Sequence, residues 1–408
     1  MIATIPGISG APATTARRAQ REQVDTLIVG AGPAGAATAI ALAQHGRTTV
    51  LVDRNPEIPN RLGEALPPAI LVPLARLGVG DHFRDESHFA STGTRSIWGS
   101  GVDTDSEFLF RPHGAGWHVC RDQFDTMLVA RATSIGTRLH LGTRITGMCW
   151  TSAGWEVEVE SERGESVSYL ARYLVDATGR ASAAARRLGV CRVAVDRLVG
   201  VSAIIDISGS SRNPGHDLLV EATESGWWYS APLRGDQMVV TYLSDADLYP
   251  GDRRSIEGWR NLLMLAPHTE RRVGGSPLVG GLRVGSARTS RLAAIAGRDW
   301  LAVGESAMAL DPLSSAGVHR ALTDGLEGAE AIEQHLSGDV GAPIQHARAS
   351  HALFEQYLQL RRMYYRHERR WAESPFWRRR AMEGMPVIRR PAGRKCFAAR
   401  IVASGAVA

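Results

Sequence analysis

Apolar runs interrupted by glycines predict a strand, a tight turn and a helix near the N-terminus. The apolar run 24–29 enters Gly30-Ala-Gly-Pro-Ala-Gly35, and a helix-forming stretch over 36–45 follows. A second apolar run over 48–52 ends at Asp53. Because strand, glycine turn, helix and strand succeed one another within about thirty residues, the spacing predicts a βαβ unit that binds a dinucleotide.

Each part of this unit has a task in holding phosphate or ribose. The three glycines permit the turn, bring the pyrophosphate close to the backbone and let the helix pack tightly on the strand. Backbone donors at the helix N-terminus face the phosphates. A carboxylate at the end of the second strand accepts hydrogen bonds from the ribose hydroxyls. The residues predicted to bind the dinucleotide here are Gly30, Gly32, Pro33, Ala34, Gly35, Asp53 and Arg54.

The middle of the chain changes to strand patterning. In Trp155-Glu-Val-Glu-Val-Glu160, apolar and acidic residues alternate, which indicates a half-buried antiparallel strand. The runs 198–207 and 237–243 predict further strands, and the pattern becomes helical from Ile344 onward. The expected fold class is therefore α/β, with a Rossmann-like domain interleaved with an antiparallel β-sheet substrate domain, plus a helical C-terminal region.

Composition places the chain among ordinary globular proteins, with 44% hydrophobic and 22% charged residues. No apolar run approaches the roughly 20 residues of a membrane span. Residues 1–23 lack the early charge and apolar core of a secretory signal. The four cysteines are scattered without the spacing of a disulfide framework or a metal site. We therefore expect a cytoplasmic protein that uses no metal.

The formal net charge of +5 is concentrated near the C-terminus. Segment 361–400 holds 13 of the 47 basic residues and 3 of the 42 acidic ones, so the remainder is net acidic. Five of its arginines recur at helical spacing, and these are Arg361, Arg362, Arg366, Arg369 and Arg370. The segment predicts either a solvated helix that caps the fold or a docking surface for an acidic protein partner. A nucleic-acid partner is disfavoured because no nucleic-acid-binding module accompanies the patch.

Three later segments carry a resemblance to flavoproteins. Tyr173-Leu-Val-Asp-Ala-Thr-Gly-Arg180 and Trp300-Leu-Ala-Val-Gly-Glu305 each lead from an apolar strand into a glycine turn. The second resembles the Gly-Asp motif whose carboxylate binds the ribityl chain of FAD, with Glu305 in place of the aspartate. Trp117-His-Val-Cys-Arg-Asp-Gln-Phe-Asp-Thr-Met-Leu128 resembles the segment in which an arginine, here Arg121, contacts the cofactor.

Together these segments resemble the large family of single-component aromatic hydroxylases and flavin-dependent halogenases. The resemblance implies an FAD-binding domain of the glutathione-reductase type and a helix N-terminus, at 315–318, that faces the isoalloxazine ring. The further FAD contacts that it implies are Arg121, Ile145, Gly179, Gly304, Glu305, Ser315, Gly317 and Val318. The expected division of the chain is a flexible leader (1–22), three FAD-binding parts (23–90, 121–195, 286–340), two substrate-domain parts (91–120, 196–285) and a helical basic region (341–408).

Two features separate hydroxylation from halogenation within this family. Flavin halogenases of the tryptophan type use a lysine in the first third of the chain and a Trp-x-Trp-x-Ile-Pro segment. Here Lys395 is the sole lysine, and the corresponding tryptophan segment is Gly226-Trp-Trp-Tyr-Ser-Ala-Pro232. The halogenase interpretation therefore lacks its chemical group.

Several segments resemble a branch of flavoproteins that mature cysteine tryptophylquinone enzymes by acting on the small subunit of quinohemoprotein amine dehydrogenase or on amino-acid oxidases. The resemblance implies that reduced FAD reacts with O2 to form a C4a-hydroperoxide, whose distal oxygen is attacked by the indole of a peptidyl tryptophan. NADH, NADPH or another reductant would bind transiently, since no second nucleotide fingerprint is present. The segments that carry this resemblance are 63–68, 226–233, 311–317, 364–371 and Phe376-Trp-Arg-Arg.

Candidate catalytic and substrate-binding residues lie in or near these segments. Glu64 is the candidate general base, with a helix-start or surface carboxylate as the alternative. His319 follows the flavin-facing turn and is a second candidate, with a structural role as the alternative. Trp227, Trp228 and Tyr229 are candidates for substrate binding, and because strand neighbours point to opposite faces, one face of this run is expected to line the site. The alternatives to a peptidyl monooxygenase are an FAD-dependent hydroxylase, halogenase or reductase of a small molecule, and a flavin-bound maturation chaperone.

Overall fold

The computed structural model describes residues 21–61, 65–86, 88–107, 114–209 and 215–382. The strands are β1 (Glu22–Val29), β2 (Thr49–Val52), β3 (Ala65–Leu66), β4 (Phe89–Ser91), β5 (Gly93–Ile97), β6 (Thr104–Glu107), β7 (Gly116–His118), β8 (Arg138–His140), β9 (Thr143–Thr151), β10 (Gly154–Ser161), β11 (Ser166–Asp176), β12 (Arg192–Ala194), β13 (Leu198–Asp206), β14 (Leu218–Thr223), β15 (Gly226–Leu233), β16 (Gln237–Asp245), β17 (Arg283–Ser286), β18 (Ser290–Leu292), β19 (Ala296–Gly297), β20 (Trp300–Ala302) and β21 (Met308–Ala309). The α-helices are α1 (Pro33–Gln44), α2 (Leu71–Arg76), α3 (Gly80–Asp85), α4 (Arg121–Ser134), α5 (Ala183–Arg187), α6 (Ile256–Leu263), α7 (Pro267–Val273), α8 (Gly317–Leu336), α9 (Ala342–His367) and α10 (Pro375–Met382).

The first large sheet is the Rossmann-like core. Its strands lie in the order β19-β20-β11-β1-β2-β8, and the pairings from β20 through β8 are parallel. β9 and β10 extend the sheet as an antiparallel ribbon on β11. Leu27, Ile28 and Leu51 are fully buried because helices cover the parallel strands, and α1 packs against both α4 and α8. The predicted βαβ unit is therefore present at the centre of the sheet.

The second large sheet lies in the order β17-β13-β16-β15-β14-β5-β6. Every neighbouring pair is antiparallel except β14 and β5, which are parallel. The expected antiparallel sheet is therefore present, with one parallel pairing within it. β5 reaches the sheet from a separate, earlier segment of the chain, so no hairpin fixes its direction relative to β14.

The described part of the C-terminal region, which ends at Met382, is a structural part of the fold. α9 has 26 residues and packs against α8 and α10. Tyr365, Phe376 and Trp377 of these helices are each at most 1% exposed and join the hydrophobic cluster on one face of the second sheet. Within the described ranges, no helix combines the length and the apolar character needed to cross a membrane.

Several arginines of this region form ion pairs inside the molecule. Arg361 is 4% exposed, and its guanidinium donates to Asp196 at 2.8 Å and to Asp311 at 3.1 Å. Arg380 is 1% exposed and donates to Asp245 at 2.8 Å. A buried guanidinium without a carboxylate partner is strongly destabilising, so these pairs fix the helices on the domain beneath them. Arg361 therefore belongs neither to a solvated helix face nor to a docking surface, the two alternatives that its helical spacing left open.

Candidate active site

The glycine turn after β1 has no room for side chains. A Cβ on Gly30, which has a φ of +108°, would lie 2.3 Å from the carbonyl oxygen of Ala177. A Cβ on Gly35 would lie 1.9 Å from the carbonyl oxygen of Gly30. α1 begins after Gly32 without a side-chain cap and without an acidic residue in its first turn. The turn therefore presents backbone N–H groups that suit an anion such as a pyrophosphate.

Asp53 lies beside this turn, directly after β2. Its Oδ2 accepts a hydrogen bond from the backbone N–H of Ala31 at 2.8 Å, and its Oδ1 accepts from both nitrogens of Asn55 at 2.9 and 2.8 Å. The residue is 7% exposed. The carboxylate thus shapes the turn itself, and it retains lone pairs with which it can accept ribose hydroxyls.

A cavity of about 320 Å³ extends from the glycine turn to the second large sheet. Three guanidinium groups line it, and they belong to Arg61, Arg121 and Arg180. Nη1 of Arg61 lies 2.9 Å from the position that a Cβ on Gly32 would take, so this guanidinium lies against the turn. Arg121 is 6% exposed and pairs with Asp125 at 3.0 Å. Guanidinium groups beside an open helix N-terminus are well suited to bind phosphates.

The turn before α8 closes another side of the cavity. Ser315, Gly317 and Val318 all line it. Ser315 has a φ of +46°, in the left-handed region, and this reverses the chain just before the helix. The first turn of α8 contains no acidic residue. Its N-terminus therefore favours negative charge on a group bound in the cavity.

Glu305 lies on the cavity surface in an ion pair. Its Oε1 is 2.8 Å from Nη2 of Arg180, which also donates to the carbonyl of Leu310 at 3.1 Å. Gly179 lines the same part of the cavity, and a Cβ on it would meet no atom within 4 Å. Gly304 lies behind this surface, where a Cβ would come within 2.5 Å of the Cβ of Ala34. The turns after β11 and β20 are thereby joined to each other and to the start of α1.

One face of β15 forms the opposite wall. Trp227 and Tyr229 line the cavity. Trp227 is 1% exposed, and its indole N–H donates to the hydroxyl of Tyr365 at 3.0 Å. Trp228 is fully buried on the other face of the sheet, where its ring centroid lies 5.1 Å from that of Trp259. The alternation expected of a strand therefore brings two of the three aromatic candidates to the cavity and directs Trp228 away from it.

Other predicted residues lie away from the cavity. Arg54 is exposed. Ile145 is 8% exposed and belongs to the hydrophobic core around the first large sheet. His319 does not line the cavity and forms a hydrogen bond with the backbone of Ala69, and burial lowers its pKa. Glu64 lies outside the described residues.

Several polar groups at the cavity or directly behind it were given no role by the sequence. Arg61 follows the predicted βαβ unit in a stretch without periodic patterning, so no sequence signal marks it. Asp311 was part of a quoted motif without an assigned role, and it is 1% exposed at the cavity surface. Tyr365 donates to Oδ2 of Asp311 at 2.8 Å, which connects α9 with the turn before α8. The regular spacing of the tail arginines gave no indication of this contact.

These features together fit FAD. The glycine turn is too narrow for side chains, and the N-termini of α1 and α8 lack acidic residues. Guanidinium groups line the cavity, and aromatic side chains form its far wall. The sequence model of a family described as FAD binding domain matches residues 23–254, which is more than half of the chain. The chain belongs to this FAD-binding family. FAD is therefore its cofactor, and the protein is an FAD-dependent oxidoreductase.

A curated relative agrees with that conclusion, and two solved structures are similar to this chain in fold. A protein of Marinomonas mediterranea provisionally named FAD-dependent oxidoreductase LodB is 30% identical over 368 residues, which cover 88% of this chain and 97% of that protein. The myxobacterial chondrochloren halogenase CndH has a TM-score of 0.80 at 21% identity, with 88% of this chain and 86% of CndH covered. The peptidyl tryptophan dihydroxylase QhpG, essential for tryptophylquinone cofactor biogenesis, has a TM-score of 0.69 at 23% identity, with 88% and 79% covered. The two structures confirm the expected fold class.

Proposed function

We propose that this FAD-dependent oxidoreductase is a monooxygenase that hydroxylates a tryptophan side chain in a partner polypeptide during formation of a tryptophylquinone cofactor. The observation that carries the proposal is the wall opposite the FAD-binding turns, which presents the aromatic side chains of Trp227 and Tyr229. Aromatic rings of this kind pack favourably against an indole. No lysine occurs among the described residues, and the sole lysine of the chain is Lys395. The group that halogenases of the tryptophan type require is therefore missing from this wall.

The chain would contribute orientation and exclusion of water. FAD supplies the oxygen-activating chemistry when it is bound, with O2 as cosubstrate and with NADH, NADPH or another reductant bound transiently. The hydrogen bond from Trp227 to Tyr365 fixes one aromatic wall of the cavity, while Leu218, Val220 and Leu243 make its neighbouring surface apolar. A fixed aromatic wall with apolar neighbours holds an indole in one geometry and keeps bulk water away from it. Glu64 remains the proposed general base, because His319 lies away from the cavity.

A protein substrate needs a docking surface, and we place it on the outer face of α9. Leu360, Met363 and Tyr364 are 50%, 69% and 56% exposed. Arg366, in the last turn of α9, and Arg369, two residues after the helix ends, are exposed as well. Apolar side chains flanked by guanidinium groups are complementary to a partner surface that combines apolar residues with carboxylates. The partner proposed for this surface is the small subunit of a tryptophylquinone enzyme.

A second candidate function is halogenation or hydroxylation of a small molecule. The fold similarity to CndH, at a TM-score of 0.80, favours this alternative. It predicts that free aromatic compounds are converted and that the partner polypeptide is left unmodified.

The test offers both kinds of substrate to the holoenzyme in the presence of reductant, O2 and bromide. The proposal predicts that the small subunit gains oxygen and no bromine, and that free tryptophan and simple phenols remain unchanged. Conversion of the small aromatics with an unmodified subunit would overturn it. A subunit that stays bound but unmodified, on an enzyme whose flavin can be reduced, would identify a maturation chaperone instead.

A further inference from the structure

We infer that the aromatic residues behind Trp227 form a path that carries oxidising equivalents from the cavity to the protein surface. The ring centroid of Trp227, on the cavity wall, lies 6.2 Å from that of Trp98. Trp98 lies 5.0 Å from Trp377, and Trp377 lies 6.5 Å from Trp371, which is partly exposed. Indole and phenol side chains are the most easily oxidised aromatic groups in proteins, and neighbouring rings exchange electrons readily. The four rings thus connect the cavity with solvent.

A second route runs through Tyr365. The hydroxyl of Tyr365 accepts the indole N–H of Trp227 at 3.0 Å, and its ring centroid lies 5.9 Å from that of Trp377. The same hydroxyl donates to Oδ2 of Asp311 at 2.8 Å. When Tyr365 loses an electron, its proton can therefore move to this carboxylate and can return when the tyrosine is reduced. Both routes meet at Trp377.

The surroundings of the rings allow the positive charge of an oxidised indole to move between the buried rings. At Trp371 they favour loss of the indole proton to water. The indole N–H of Trp98 donates to the carbonyl of Tyr364, and that of Trp377 donates to the carbonyl of Thr223, both at 2.9 Å. Carbonyl oxygens are too weakly basic to take the proton of an oxidised indole, so the charge is not trapped at these rings. At Trp371 the guanidinium carbon of Arg370 lies 4.2 Å from the ring centre. Its positive charge disfavours a cation on the ring and so promotes loss of the indole proton to water.

The transfer is balanced in electrons and protons. A one-electron oxidant of the oxygen-radical class, formed in the cavity of an enzyme that activates O2, takes one electron from Trp227 and is itself reduced. Trp98 or Tyr365 replaces that electron, Trp377 supplies the next and Trp371 the last. Trp371 then releases its indole proton to water, and a soluble thiol restores it by donating a hydrogen atom. The path goes beyond the proposed function, because it protects Trp227 from lasting oxidation whatever the substrate is.

Photoexcitation of bound FAD tests the path without catalytic turnover, since excited flavin is a one-electron oxidant. Holoenzyme freed of unbound flavin is illuminated with blue light in aerated buffer that contains ferricyanide, which takes the electron from the flavin. Peptide mass mapping then measures oxygen addition at each tryptophan. We expect most of the addition at Trp371 in the wild type. Trp377→Phe should show a several-fold loss at Trp371 and a matching gain at Trp227 and Trp98.

Trp259→Phe is the matched control, because Trp259 is fully buried on the other face of the sheet and is not part of either route. It should leave the labelling of Trp371 unchanged. Wild-type labelling of Trp371 in Trp377→Phe would overturn the inference, since direct attack from solution needs no path. If Trp377→Phe does not retain FAD, the double variant Trp98→Phe with Tyr365→Phe interrupts both routes and must give the same loss. A protein that hydroxylates no partner can still pass this test, so the two proposals fail separately.

Discussion

Replacement of Arg61 by alanine should weaken FAD binding far more than the same replacement at Arg54. Nη1 of Arg61 lies 2.9 Å from the position of a Cβ on Gly32, and the side chain lines the cavity. Arg54 is exposed and does not line the cavity, although it directly follows Asp53 in the sequence. The two variants therefore distinguish the FAD contact that the structure indicates, Arg61, from the one that the sequence pattern predicts, Arg54.

The size of the effect follows from the type of contact. A hydrogen bond to a charged group contributes about 1.5–3 kcal/mol, and a guanidinium–phosphate pair is of this type. Loss of one such contact raises the Kd for FAD by about tenfold to a hundredfold. An exposed ion pair contributes at most about 1 kcal/mol, so Arg54→Ala should raise the Kd by about fivefold at most.

The assay is a titration of deflavinated protein with FAD, followed by flavin fluorescence, with thermal unfolding of each variant as the control for folding. Arg61→Lys keeps the charge but loses the planar fork, so it should recover part of the affinity. A Kd for Arg61→Ala that equals the wild-type value, or a larger effect of Arg54→Ala, would refute the assignment of the phosphate site.

Three further predictions concern the turn, the pH dependence and the docking surface. Gly35→Ala forces a Cβ to within 1.9 Å of the Gly30 carbonyl oxygen. This clash should lower the free energy of unfolding by about 3 kcal/mol and reduce the amount of FAD bound to the purified protein. Gly317→Ala, whose Cβ meets no atom within 4 Å, should retain the wild-type Tm in calorimetry. Burial lowers the pKa of His118 to about 4, only partly offset by its hydrogen bond with the carbonyl of Pro232. Since the unfolded pKa is about 6.5, the stability contributed by neutral His118 is complete above that pH and is lost as the pH falls towards 4, by up to about 3 kcal/mol. His118→Phe should therefore flatten the urea-derived stability profile in this window, and an unchanged slope would contradict the shift. Arg366→Glu combined with Arg369→Glu should raise the KM for the partner subunit several-fold at constant kcat. Arg163→Glu, on the exposed turn after β10, is the control and should leave the KM unchanged. Equal effects of the two changes on KM would exclude α9 as the docking surface.

The glycine turn of the candidate site could be predicted from the sequence because its parts are close together in the chain. One βαβ unit contains all of these parts, namely β1, Gly30, Gly35, α1 and Asp53. Spacing alone therefore indicates which of them approach each other. The strand alternation of β15 was likewise sufficient to predict that its aromatic residues divide between two faces. Local periodicity is a reliable guide wherever the contacts that matter are local.

The far side of the cavity depends on contacts that no local pattern encodes. Trp227 meets Tyr365 across 138 residues of sequence, and Tyr365 meets Asp311 across 54. The same packing draws Arg361 into the interior to pair with Asp196 and Asp311, against the solvent-facing position that its spacing indicated. A buried charge is strongly destabilising unless its partner is buried with it. Which residues form such a pair can therefore be identified only from the tertiary structure.

Under the proposed function, the FAD-bound cavity transfers oxygen from O2 to an indole of a partner polypeptide. The most direct measurement is the intact mass of a tryptophylquinone enzyme's small subunit after incubation with holoenzyme, reductant and 18O2, with fragmentation to locate the label. The proposed function predicts 18O on a single tryptophan, and only when FAD is bound. An unchanged subunit mass, with FAD bound and reducible, would contradict it.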